Sequence, residues 1–249
     1  MALNHSMGSL SERAYRTIFH RILSGDLPMG AELSRRRLAE EMGMSIVPVA
    51  EALQRLENEE LVESRPRVGT RVKIPTPRDV RGHYVVREAL ETQSARLFAE
   101  KASAGEKEEI ATLAVWLDQM YGEAAEKRLS REQIFDLHQR HMRFHMRVAE
   151  CTGIAALCRA MERNQILTHN WMYDTTADWH RLPERFHQSL AEALCSGDPE
   201  WAASEMRSHV TFGMERLVAE LERVLGPWER GVSMALGSVT QIGNDEKIL

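Results

Sequence analysis

The stretch Ile74-Pro75-Thr76-Pro77-Arg78-Asp79 constrains this chain more than any other six residues. Pro75 and Pro77 remove two backbone donors and fix two φ angles, so regular structure should stop and a linker is expected over 74–79. The patterns on its two sides differ. Before it, short helical stripes alternate with turn residues and give way to an alternating stretch. After it, Leu, Ala and Met recur at helical spacing and β-branched runs are absent. The expectation is a mainly α chain with units at 1–75 and 76–225 and a loosely ordered, glycine-containing tail at 226–249.

In the first unit, SERAYRTIFHRILSG sets Ala14, Ile18, Ile22 and Leu23 on one helical face, and Gly25 closes it. DLPMGAEL reads as a turn. Ser34 is placed to cap a short helix through Glu41. Ser45 is placed to cap the next, IVPVAEALQRLENE, whose first turn tolerates Pro48. Val49, Ala52, Leu53 and Leu56 form its buried stripe. LVESRPRVGTRVKI alternates around a Pro/Gly turn and predicts a two-stranded hairpin. Helix, short helix, tight turn, helix, hairpin is the order of a winged helix-turn-helix. Two helices hold the third in a major groove, and the hairpin reaches toward the backbone or minor groove. The overall charge is −5, but residues 1–75 hold 11 Lys and Arg against 10 Asp and Glu. The acidity lies in the remainder, away from the part expected to meet DNA.

The run from Ile22 to Val72 resembles, almost without gaps, the N-terminal domain of GntR-family transcription regulators. The residues that carry the resemblance are the G-x-L-x-x-G turn, L-A-E-E-x-G, P-V-x-E-A-L and the closing G-T-x-V. The family's recognition helix usually has arginine where this chain has Ile46 and Ala50. An arginine fork on guanine is worth roughly 1–3 kcal/mol of discrimination, so a different readout is expected. Ser45, Val47 and Gln54 are the candidates, with thymine-methyl contacts from Ile46 and Val47. Phosphate contacts are assigned to Arg35, Arg36, Arg37, Arg65, Arg67 and Arg71, and Gly69 and Thr70 complete the wing. The alternative for Arg35–Arg37 is a solvated helix start, although positive charge there opposes the macrodipole.

Beyond the linker, about six helices are predicted, near 78–102, 106–127, 130–151, 154–174, 183–196 and 199–225: an all-α bundle. HQRHMRFH, residues 138–145, puts His138, His141 and His145 on one stripe, since His141 and His145 lie about 40° apart on a helix. Two histidines at i, i+4 can grip one metal. The spacing also suits a polar lining that binds a ligand directly, and it is not the zinc-protease HExxH, because Met142 stands at the Glu position.

From about residue 78 to 222 the chain resembles, more loosely, the ligand-binding FCD domain of the FadR subfamily. Many members hold a divalent metal with an Asp, a His four residues later and two later histidines. Here the D-x-x-F-H pattern reads H-M-R-F-H. The resemblance therefore implies His141, His145, His187 and His209 as ligands, with His141 in the aspartate's place. An all-imidazole set leaves the ion's charge uncompensated and favours zinc, then nickel or copper, over manganese or magnesium. His138 is expected beside the ligands or at the surface. The resemblance also implies Arg87 as the anchor of a carboxylate effector, against the alternative of an ion pair with Glu91. Asn164, Thr168 and Trp171 follow i, i+4, i+7 and line either that pocket or a core.

No apolar run approaches the roughly 18–20 residues that span a bilayer, and MALNHSMGS lacks a charged start followed by an apolar block. Cys151, Cys158 and Cys195 show no CxxC spacing and read as reduced thiols in a cytoplasmic protein. The function expected is a dimeric DNA-binding regulator acting on two-fold operators, with metal and carboxylate sensed in the bundle. A pure metal sensor and a metal-dependent hydrolase or lyase are the alternatives. Against the enzyme, no Glu or Asp stands near the histidines in sequence as a general base.

Overall fold

The computed structural model describes residues 9–66, 69–127, 129–164 and 182–239, without the side chains of residue 131 and of 224–239. The first unit runs α1 (Leu10–Leu23), β1 (Glu32–Leu33), α2 (Arg35–Met42), α3 (Ile46–Asn58), β2 (Val62–Arg65) and β3 (Gly69–Val72). Ala14, Ile18 and Ile22 of α1 close over Val49, Leu53 and Leu56 of α3, all buried. Ser34 caps α2 by accepting from the Arg37 amide, and Gly43 ends it in the left-handed conformation, φ 62°. The expected hairpin is the larger part of a three-stranded antiparallel sheet in the order β1-β3-β2. DLPMGAEL is thus more than a turn. Glu32 and Leu33 pair with Arg71 and Thr70, a two-residue strand too short to show a period in sequence.

The linker is shorter than expected. Pro77 is the first residue of α4 (Pro77–Lys101), not an interruption, and Thr76 and Asp79 form a reciprocal capping box. Capping boxes also start α5 (Ala104–Glu126) at Ser103 and Glu106, and α6 (Arg131–Glu150) at Ser130 and Gln133. Gly105 therefore lies inside α5. Helix α7 is described over 155–164, followed by α8 (Phe186–Cys195) and α9 (Pro199–Val239). The backbone of α9 stays helical past Gly226, where a loose tail was expected, and Met234, Ala235 and Leu236 are helix formers that favour this continuation.

In the bundle, α4 lies along α9, and α8 packs against α5 and α9. Phe98, Ile110, Leu117, Leu137, Phe144, Leu190 and Leu194 fill the centre. Gly213 of α9 brings the backbone close to α4, since a Cβ there would stand 3.7 Å from the Tyr84 hydroxyl. Among the described residues no helix is long and apolar enough to cross a membrane.

Candidate metal centre and candidate nucleic-acid face

Helix α6 carries His138, His141 and His145 on one inward stripe, α8 brings His187 in its first turn, and α9 brings His209. All five are buried: His138 1%, His141 8%, His145 0%, His187 0% and His209 5% exposed. Of the two places expected for His138, beside the ligands or at the surface, burial rules out the surface. Four of these rings converge. His141 Nε2 lies 2.9 Å from His145 Nε2 and 3.4 Å from His209 Nε2. A ligating nitrogen from each of His141, His145 and His209 can be chosen so that all lie within 4.8 Å of one another. His187 faces the group edge-on, its ring centroid 4.9 Å from that of His141 and 5.3 Å from that of His209.

What stands behind the rings is as informative. Asp118 of α5 lies 2.7 Å from His187 Nδ1 and accepts its N–H. Tyr121, one turn further along α5, holds His141 Nδ1 at 2.9 Å. Glu91 Oε2 lies 2.7 Å from His145 Nδ1, short of full hydrogen-bond alignment. His209 is oriented by stacking on Phe186, at 4.3 Å between centroids. With an acceptor on Nδ1, a neutral imidazole carries its proton there and leaves Nε2 as a bare lone pair. His187 Nε2 is such an atom, buried and without a hydrogen-bond partner. Burial, reinforced by the neighbouring imidazoles, pushes His141 and His209 well below the usual histidine range. Burial likewise lowers His187, against the pull of Asp118. Ring nitrogens gathered this closely, with the charged forms of His141, His187 and His209 disfavoured by burial, are a donor set that a transition metal fits.

Arg87, assigned to an effector, is buried on α4. Its Nε donates to Glu91 Oε1 at 2.6 Å and its Nη1 to the Tyr84 hydroxyl at 3.3 Å, so the ion-pair alternative is realised. Burial pushes the Glu91 carboxyl up, but Arg87 and His145 overcome this and hold it down at about 2. Asn164 of α7 packs against α4: its carbonyl accepts from His83 Nε2 at 2.7 Å, while its own Oδ1 is buried without a partner. Thr168 and Trp171 lie outside the described residues.

The other candidate face is on the first unit. At the start of α3, Ile46 and Val47 are 49% and 65% exposed. Ser45 sits at the N-cap position but its side chain makes no capping hydrogen bond, contrary to the expected cap, so the hydroxyl is available to a partner. Gln54, also exposed, reaches Asn58 at 3.5 Å. Arg36 and Arg37 pair with Glu40 and Glu41 one turn on, both exposed, whereas Arg35 meets no carboxylate among the described residues. Between the start of α2 and the wing lies an open groove of about 690 Å³, bordered by Arg35, Arg36, Arg65 and Gly69. Gly69 adopts φ 112°, which favours glycine. Thr70 is buried, its hydroxyl 3.0 Å from that of Ser64, so it braces the wing rather than facing outward. Arg67 lies outside the described residues.

Sequence reasoning missed Asp118, Tyr121 and Phe186 and weighed Glu91 only as a partner for Arg87. Asp118 lies 69 positions from His187, and no local spacing marks it. No carboxylate beside the histidines in sequence stands out as a general base, but in three dimensions Glu91 and Asp118 are near them, each turned to a ring Nδ1.

Residues 10–72 match the bacterial regulatory proteins of the gntR family, and residues 83–212 match the FCD domain. The probable D-xylose utilization operon transcriptional repressor of Paenarthrobacter nicotinovorans is 28% identical over 215 residues, covering 82% of this chain and 91% of that protein. A GntR transcriptional regulator from Rhodococcus sp. RHA1 shares the fold, with TM-score 0.69 at 20% identity, covering 85% of this chain and 99% of that one. E. coli McbR/YncC aligns with TM-score 0.64 at 25% identity, over 87% of this chain and 99% of that one.

Proposed function

This chain belongs to the gntR family of bacterial regulatory proteins with an FCD domain and is a DNA-binding transcription regulator rather than an enzyme, and on that premise we propose that its bundle binds a divalent transition metal and a small carboxylate that together modulate operator binding. The convergence of His141, His145 and His209 nitrogens, with His187 facing them, carries this reading. The ligands are His141, His145, His187 and His209. An all-imidazole set suits zinc first and nickel next.

The charge balance differs from that of imidazoles alone. Glu91 and Asp118 each bring a negative charge to the backs of the rings and Arg87 a positive one. With a divalent ion, a single net positive charge remains, which favours an anion in an open coordination position. A bound ion would supply a Lewis-acidic position for one effector oxygen. Arg87, whose contacts above use only Nε and Nη1, and Asn164, with its unpartnered Oδ1, are the groups assigned to the rest of the effector.

In the first unit, Ser45, Ile46, Val47 and Gln54 read bases, while Arg35, Arg36, Arg37, Arg65 and the wing hold phosphates. One recognition helix reads few base pairs, so the working species is a homodimer on two half-sites related by two-fold symmetry. The relative named as an operon repressor supports repression as the mode. Helix α6 links the units: it carries His141 and His145, and its Phe135 ring lies 6.1 Å from that of His20 on α1. A ligand that prefers one placement of α6 by about 1–3 kcal/mol shifts operator affinity by at most the corresponding factor of about 5–150.

The test is selection of bound DNA from a random pool with metal analysis of the same sample, then operator titration with zinc, with and without small carboxylic acids. The expected result is one ion per chain and an acid-dependent change in operator affinity of about 5–150-fold. A response to zinc alone, unaltered by any acid, would make the protein a metal sensor and remove the effector from this reading.

A further inference from the structure

Helix α8 is unusual in how it begins. Its N-cap residue, Arg185, has φ 57° and no side-chain capping bond. The amides that a local cap would satisfy belong to His187 and Gln188, the second and third helical residues. Both are taken from another helix. Asp118 of α5 accepts from the His187 amide at 2.9 Å and the Gln188 amide at 3.0 Å. The same carboxylate accepts from His187 Nδ1 at 2.7 Å and from the Gln188 side-chain amide at 3.1 Å. One carboxylate thus ties down both the backbone and the ring of His187.

We propose that Asp118 is the positioning residue of the metal centre: it fixes the His187 tautomer and aims its bare Nε2 inward, so that the carboxylate that docks α8 on α5 also prepares a metal ligand. The inference rests on the reading of His187 as a ligand. The second-helical-residue position of His187 matters, because a ring one turn further along could not share a carboxylate with the helix start. The negative charge is also well placed at the positive end of α8. Acceptors behind a ligating imidazole typically change metal affinity by about 10–100-fold.

The variant to make is Asp118→Asn, in full-length protein. Asparagine retains an acceptor for the α8 amides but offers neither the charge nor four acceptor sites. Gln188→Ala is the control, since it removes one contact to Asp118 without touching the imidazole. Zinc affinity by chelator competition, the visible absorption of the cobalt-loaded protein and the ¹⁵N shifts of His187 in the metal-free protein are read at a temperature where every variant is folded. Asp118→Asn should bind zinc about 10–100-fold more weakly, show an altered cobalt spectrum and lose the single Nδ1–H tautomer. Gln188→Ala should stay within about twofold of the parent, because the bond it loses does not involve the ring. A parent that takes up metal while Asp118→Asn matches it in affinity and spectrum overturns the assignment of Asp118 alone. A parent that takes up neither zinc nor cobalt overturns the metal reading together with it.

Discussion

The DNA-facing unit and the bundle keep their chemistry in opposite places. In the first, the arginines and the base-reading candidates lie outside an apolar core, and Thr70 is its one buried polar residue among those described. In the second, Arg87, Glu91 and five histidines are buried. An outward face can change without disturbing the fold beneath it. An inward cluster cannot, because on the proposed reading the groups that pack the interior are also those that would bind the metal and effector. Function and stability should therefore separate in the first unit and be linked in the second.

The largest effect expected tests the inward half. Replacing Glu91 by Leu leaves the Arg87 guanidinium buried without its carboxylate, and a loss of about 3–5 kcal/mol in denaturant unfolding is expected. A loss under about 1 kcal/mol would mean the cluster is not a coupled unit. In the first unit, Leu56→Ala removes a fully buried side chain and should cost about 2–5 kcal/mol by cavity formation. It should do so with no change in zinc affinity, which chelator competition can check.

Stripping the metal should come next. If zinc is a native-state ligand, a hundredfold excess over its dissociation constant stabilises the fold by about 2.7 kcal/mol. Chelation should lower the melting point by a matching amount, and an unmoved melting point would break the linkage claimed for the bundle. Two serines give a finer contrast. Ser34→Ala should cost about 1 kcal/mol because its hydroxyl caps α2. Ser45→Ala should cost almost nothing, because no such bond exists, yet should weaken operator binding. Smallest of all, Arg35→Ala should leave unfolding within about 0.5 kcal/mol of the parent. Its effect should appear as a salt slope of DNA binding reduced by about one.

The same division explains what could be read in advance. Helix order and the α3 stripe were legible because periodicity is a local signal, and so was the α6 stripe, whose histidines share a face through spacing alone. His187 and His209 came only from the resemblance to the FCD domain. Asp118 and Tyr121 were invisible, since their role is created by α5 packing beside α6 and α8. Strand β1 was missed for a similar reason: two residues have no period, and pairing with β3 makes them a strand. Pro77 misled in the other direction. Proline ends a helix from within but starts one at its first position, and here the Thr76–Asp79 box decides for the start.

The short join between the units has a consequence for operator architecture. Only Lys73, Ile74, Pro75 and Thr76 separate β3 from α4, and four residues reach at most about 14 Å. Even that tether is pinned, by the Lys73 amide on the Leu61 carbonyl and by burial of Pro75. In a dimer, neither reading head could wander in search of its half-site, so the bundle would act as a fixed calliper for the distance between them. Lengthening the tether with glycines should let the protein accept operators whose half-sites stand at altered separations.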